Sequence, residues 1–310
     1  MKSLKILFCI AAFSAVTLAQ AATVRQDNGN EFKPSGKGWG EIDLEASGKA
    51  SGQASAAAKV IIGPNGINYH GGPLILGSTN VYYIWYGNWG GNTATSILTD
   101  LATSVGASPY YNINTTYYNG SNVHVSNAVS YINAIYDNYS QGAALNDAQV
   151  QSVVANAISS GSLPKDANAV YFVLTSADVN ETSGFCTQYC GWHTHAKIGG
   201  TDIKYSFVGN PDRCPTACSA QSVGPNGNAG ADGMASVISH ELEEAVSDPD
   251  LNAWYDSKGY ENADKCAWKF GSVYTTANGA SANMKLGARD YLIQQNWVNA
   301  NGGLCSLSYP

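Results

Sequence analysis

Apolar residues in this chain fall into two alternating kinds of run. From 81 to 86 the sequence VYYIWY is β-branched and aromatic without a break, which predicts a strand. VYFVL at 170–174 predicts another, apolar on both faces and so central in its sheet, and a shorter strand is predicted over 204–208. Between them the spacing becomes helical. Ile97, Leu98, Leu101 and Val105 share one face of a helix over 93–105, and Val150, Val153, Val154 and Ile158 share one over 147–158. The same reading predicts extended chain over 110–118, a helix over 123–134, and a late helix over 232–246. Strand, helix, strand, helix, helix, strand, strand, helix is the order of an α/β fold, a mixed β-sheet with packed helices.

The ends of the chain follow other rules. Lys2 and Lys5 precede an apolar run over 6–19 and a small-residue site at Ala19, Gln20 and Ala21, the pattern of a secretory signal peptide over 1–21. Residues 22–64 are rich in Gly, Ala and Ser and read as a leader or linker outside the core. The folded domain is expected over 65–310. No later stretch supplies about 18 consecutive apolar residues, so no membrane span is expected.

Composition agrees with export. The chain has 33 Gly, 19 Tyr and 7 Trp against 3 Met, and only 13% charged residues. Its formal charge is -7; losing Lys2 and Lys5 with the signal takes 16 bases to 14 and the charge to -9. Such a protein repels phosphate backbones and anionic lipid, which excludes nucleic-acid binding. Once Cys9 leaves with the signal, Cys186, Cys190, Cys214, Cys218, Cys266 and Cys305 remain, an even set suited to oxidative pairing. Pairing of neighbours is expected, Cys186 with Cys190, Cys214 with Cys218, and Cys266 with Cys305, because short loops close first. Zinc held by the four thiolates of the two CxxxC pairs is the alternative. Sequons at Asn114, Asn119, Asn138 and Asn180 predict glycosylation in a eukaryotic host.

The chemistry concentrates in GADGMASVISHELEEAVSDPDLNAWYD at 230–256. On a helix, His240 and Glu244 stand one turn apart on one face, the spacing at which two side chains grip one cation. Glu241 falls within the apolar arc of Met234, Val237, Ile238, Leu242 and Ala245, where a carboxylate is costly without a partner. The comparison is with HExxH: His240 and Glu244 as ligands, Glu241 as candidate general base, and a third ligand from downstream. That third ligand is Asp264, or alternatively Asp250 at the position set by HExxHxxGxxH. A His/Glu/Asp set suits zinc first, and the added carboxylate opens it to manganese or calcium. Asp248, Asp250 and Asn252 also form a DxDxN loop, followed by Asp256, Glu261 and Asp264, so oxygen donors crowd this region. His193 and His195, two apart in GFCTQYCGWHTH, face one way on a strand; with Tyr255 they are candidates to assist an oxyanion. His70, in NYHGGP, reads as part of a turn. The chain has no GxSxG elbow, no P-loop and no GxGxxG after a strand, so serine hydrolysis and nucleotide binding lack support.

Taken together, NYHGGPLILGSTNVYYIWYGNW at 68–89, GFCTQYCGWH at 184–193, YSFVGNPDRCPTACS at 205–219 and ADGMASVISHELEEAVSDPDLNAWYD at 231–256 resemble the Exordium family, also called phosphate-induced protein 1. The likeness runs from about residue 65 to 305. It implies an extracellular or cell-wall protein linked in plants to growth, without an established reaction, and it favours His240, Glu241, Glu244 and Asp264 as one set. Asp250 departs from the plant pattern. More loosely, the helix is similar to those of zincin metallopeptidases, which implies a three-layer arrangement and a metallohydrolase acting on peptide or cell-wall material. The rival expectations are a non-catalytic extracellular module stapled by a cation, and carbohydrate binding through exposed Tyr and Trp.

Overall fold

The computed structural model describes residues 25–27, 31–34, 37 and 63–310. The expected signal peptide at 1–21 and most of the leader at 22–64 lie outside the described residues. The core is a five-stranded mixed sheet made of β1 (Thr79–Tyr86), β2 (Val129–Asp137), β3 (Ala169–Thr175), β4 (Gly191–Ile198) and β5 (Thr201–Gly209). Across the sheet the order is β2-β1-β3-β5-β4; the first four run parallel, and β4 is an antiparallel edge. Three helices cover it, α1 (Ala94–Ser104), α2 (Asp147–Ser159) and α3 (Ala229–Ser247). The expected apolar faces of α1 and α3 are buried, as is that of α2 apart from the half-buried Ile158, and Asn146 and Gln149 close a reciprocal capping box at the start of α2.

Strand alternation decides what each face of the sheet meets. Tyr83 bonds the Leu98 carbonyl of α1 and sets its ring edge-on to Phe172, while register carries Phe172 to Ser206 and Ser206 to His193. His193 therefore belongs to the face that α1 and α3 cover. The neighbouring row, Tyr82, Tyr171, Tyr205, points the other way, and Trp192 joins it by packing against Tyr205. One residue along β4 changes the face.

Three local expectations are corrected. The second half of the helix expected over 123–134 is instead the start of β2: Val81 pairs with Tyr131 and Tyr82 with Asn133, so Ile132 is an extra residue in the ladder. That bulge breaks the period of two, and Val125, Val129, Ile132 and Ile135 imitate a helical spacing. The chain expected to be extended over 110–118 forms a 3-10 helix at Tyr111–Thr116. Its Thr115 and Thr116 hydroxyls and Asn114 amide bond carbonyls three residues back, which outweighs the strand preference of the aromatic and branched residues. The cysteines pair as Cys186–Cys214, Cys190–Cys218 and Cys266–Cys305, so only the third bond follows the expectation and the four-thiolate zinc reading falls. Cys214 and Cys218 lie one helical turn apart, Cys218 N–H bonding Cys214 O, so both sulfurs project toward the opposing segment. The two form parallel rungs with Cα–Cα distances of 5.7 and 5.5 Å. Asn114 is wholly buried, which removes its sequon as an acceptor in the folded chain.

Among the described residues of the leader, Lys37 touches the domain. Lys37 is 3% exposed; its Nζ donates to Asp147 Oδ2 at 2.8 Å and stands 4.8 Å from the centre of the Tyr189 ring. Trp192 is the second ring, at 5.6 Å. Lys37→Ala is expected to cost roughly 1–3 kcal/mol, from a cation–π contact and a mostly buried ion pair. Urea unfolding of the two proteins checks this, and equal midpoints and slopes contradict it.

Candidate metal centre

Helix α3 starts at Asn228, whose side chain accepts the Ala231 N–H, with Asp232 in the favourable first turn. Nearly all of its residues are buried, so the helix runs between the sheet and the C-terminal segments rather than along the surface. His240, Glu241, Glu243 and Glu244 are consequently buried together, at 6%, 2%, 0% and 0% exposure. Glu243 turns toward Tyr110, whose hydroxyl donates to it at 2.9 Å, and burial pushes its pKa well above the usual carboxylate range. The other three turn toward β4 and the segment after 260.

Gly191 allows the approach. A Cβ there would sit 2.5 Å from Val237 Cγ1 and 2.9 Å from the Phe207 carbonyl, so only glycine lets α3 press onto the start of β4. Two residues later His193 enters the cluster. Its Nδ1 lies 3.5 Å from Glu241 Oε2 and 3.5 Å from Glu244 Oε2, and its Nε2 lies 3.5 Å from Glu261 Oε1. His240 Nε2 lies 3.0 Å from Glu244 Oε1 and 3.5 Å from Asp264 Oδ1. Asp264 sits on a 3-10 turn (Asp264–Cys266) pinned by Cys266–Cys305, and its own N–H donates to Glu244 Oε1 at 3.0 Å. Glu244 thus presents one oxygen to each histidine.

The electrostatics call for positive charge. Burial alone would lower both imidazole pKa values, yet Glu241 and Glu244 push His193 up to about 10, and Glu244 and Asp264 hold His240 well above its usual value. Against the effect of burial, the two histidines hold Glu244 down to about 2. Burial, with Glu244 adding to it, raises Glu241 to about 7 and also raises Asp264. His193 Nδ1, Glu241 Oε2 and Glu244 Oε2 are buried without a hydrogen-bond partner. A cation with ligands at 2.0–2.2 Å brings neighbouring donors to roughly 3.0–3.5 Å of one another. The spacings found here match, so the residues fit a divalent cation. His240, Glu241 and Glu244 each offer an atom within 4.8 Å of the others, as do His193, Glu244 and Glu261.

The remaining candidates lie elsewhere. Asp248 Oδ1 accepts the N–H groups of Asn252 and Ala253 and closes a turn in which Leu251 takes a φ of 57°. That turn carries Asp250 away from His240 and Glu244, which corrects the alternative ligand assignment. Asp250 lies 3.2 Å from Lys204 and 3.5 Å from His195, whose Nδ1 is 2.8 Å from Asp202. The DxDxN oxygens therefore diverge. Tyr255 stacks on His70, ring centres 3.6 Å apart. Glu243 was not among the sequence candidates, and Glu261 counted there only as one oxygen donor in a crowd. Glu261 stands three residues before Asp264, a helical-turn spacing that could have signalled it.

A narrow cleft reaches the cluster. It is lined by Cys190, Gly191, Val237, His240, Glu241, Ala267, Trp268 and Gln294 and holds about 30 Å³, room for one or two waters. Glu241 Oε1 is 3.1 Å from where a Gly191 Cβ would stand, on the side of that opening. A wider depression of about 580 Å³, lined by Thr182, Phe185 and Arg213 among others, contains no member of the cluster.

The model of the family described as "Phosphate-induced protein 1 conserved region" matches residues 67–301, a span that includes all of these side chains. The chain belongs to this family. Among similar proteins of the family, Protein EXORDIUM-like 5 of Arabidopsis thaliana is 33% identical over 282 residues, covering 77% of each chain. Protein EXORDIUM-like 3 of the same plant is 30% identical over 271 residues, 74% of this chain and 80% of the relative. Protein PHOSPHATE-INDUCED 1 of Nicotiana tabacum is 27% identical over 222 residues, 62% and 68%. No solved structure matches the chain. No helix among the described residues is long and apolar enough to cross a membrane, and the disulfides fit an oxidising compartment.

Proposed function

We propose that this family member is a secreted, divalent-cation-dependent hydrolase acting on peptides or cell-wall material, with zinc as the first choice of cation. The observation that carries the reading is that His240, Glu241 and Glu244 converge and that two of them, His240 and Glu241, line a water-sized cleft. His240, Glu244 and Asp264 would hold the cation; two carboxylates and one imidazole suit zinc or manganese better than calcium, which prefers oxygen alone. When bound, a cation supplies Lewis acidity toward a carbonyl and toward water. Glu241 is the proton acceptor. Its Oε2 lies 3.5 Å from His193 Nδ1, and its Oε1 lies on the Gly191 side, where Gly191 and Glu241 both line the cleft, so an oxygen of the carboxylate can reach a water there. β4, the last strand of the sheet among the described residues, begins at the cleft with Gly191, and an extended peptide pairing with a sheet edge is the substrate geometry that this favours.

The test is hydrolysis of a mixed peptide library and of cell-wall extracts by the mature protein. Activity should vanish on chelation and return with zinc. Products that form equally in chelator contradict the proposal. A second reading, a purely structural cation that staples α3 to the 261–266 segment, is favoured by the Asp264 N–H bond to Glu244 and by the depth of burial. It expects cation without turnover.

A further inference from the structure

We propose that Asp147, Tyr189 and Trp192 form a recognition box for the ammonium end of a lysine side chain, filled in this chain by Lys37 of the leader and open to a lysine-bearing peptide once Lys37 is out. Trp192 points to the sheet face opposite His193, so this inference stands apart from the hydrolase reading. Every wall of the box belongs to the domain. Asp147 is the first residue of α2, directly after the Asn146 cap. Tyr189 and Trp192 lie on either side of Cys190, whose bond to Cys218 pins that stretch, and the Trp192 ring packs edge-on against Tyr205. The Tyr189 hydroxyl donates to the buried Glu181, which holds the second ring in place.

The chemistry of the box selects a cation on an alkyl stem. Lys37 Nζ donates to Asp147 Oδ2 at 2.8 Å and stands 4.8 and 5.6 Å from the two ring centres. Both rings are within the roughly 6 Å at which an aromatic face attracts an ammonium. They also give apolar cover to the methylenes behind the charge. Anions are repelled, because Asp147 and Glu181 are neighbours: burial raises the Glu181 pKa and the charge of Asp147 adds to the rise. A neutral ligand would leave the Asp147 carboxylate unbalanced beside buried rings, and its Oδ1 is already buried without a hydrogen-bond partner. A lysine from another polypeptide meets the same carboxylate and the same two rings that Lys37 meets. Lys37 competes with it from within the chain, an advantage that any processing of the leader removes.

Thermal unfolding of the full mature chain carrying Lys37→Ala, titrated with n-butylammonium chloride beside the wild type, tests this, with potassium chloride and n-butanol as controls. The expected result is a saturable rise in melting temperature in Lys37→Ala, no such rise in the wild type, and its loss when Asp147→Asn is added to the variant. Acetylation of the wild type, read lysine by lysine in a mass spectrometer, is the second measurement. Lys37 is expected to react at least about tenfold more slowly than the exposed Lys197 and Lys285. Equal responses of wild type and variant, or a variant that responds to n-butylammonium no more than to the controls, overturn the box as an ammonium site. Acetylation of Lys37 as fast as that of Lys197 overturns its filling by the leader.

Discussion

Replacing Glu244 with alanine is expected to strip the protein of its bound cation and to lower its melting temperature by roughly 6–20 °C. No other side chain in the cluster faces both imidazoles, and none is more deeply buried. Its loss removes a ligand from His240 and from His193 at once. It also removes the acceptor of the Asp264 N–H, so the 3-10 turn behind Cys266 loses its tie to α3. Breaking a buried charged network by deleting one partner costs about 3–5 kcal/mol, and for a domain of this size each kcal/mol corresponds to roughly 2–4 °C. Thermal unfolding with and without added zinc reads the effect. The variant should melt low and no longer respond to zinc, whereas a zinc response equal to that of the wild type would place the cation elsewhere.

Glu241→Gln is expected to act in the opposite way, leaving bound metal and melting temperature close to the wild type while lowering hydrolysis about 10²- to 10⁴-fold. Glutamine keeps the shape that packs against Gly191 and still offers an atom to His193, but it cannot accept a proton. Metal analysis and product formation on the same preparation separate the two roles. Undiminished turnover would remove Glu241 as the base, and loss of the cation would make it a ligand.

Most of the sheet was legible because its central strands are unbroken apolar runs, and α1 and α2 because their buried faces keep a strict helical period. The edge was harder to read. The bulge at Ile132 destroys the alternation that identifies β2, and the ladder that reveals it forms with Val81 and Tyr82, some fifty residues away. Local bonding misled the reading of 111–116 in the same way. Cysteine pairing was legible only for Cys266–Cys305, since the other four are decided by which segments lie side by side and not by loop length. Within the site, the i, i+4 pair of His240 and Glu244 follows from helix geometry alone, and Asp264 joins it as the sequence suggested. The depth of His193 was signalled weakly by strand alternation. Glu261 was signalled only by its spacing of three residues from Asp264, and Asp250 was drawn in by motif spacing that the Asp248 turn cancels.

The central claim is that a divalent cation is held by His240, Glu244 and Asp264, and elemental analysis of the purified mature protein after exhaustive dialysis tests it most directly. The account predicts stoichiometric zinc, or manganese in its place, in the wild type and none in Glu244→Ala. Protein grown with ample zinc, manganese and calcium that is metal-free, and whose melting temperature is the same with and without chelator, would contradict it.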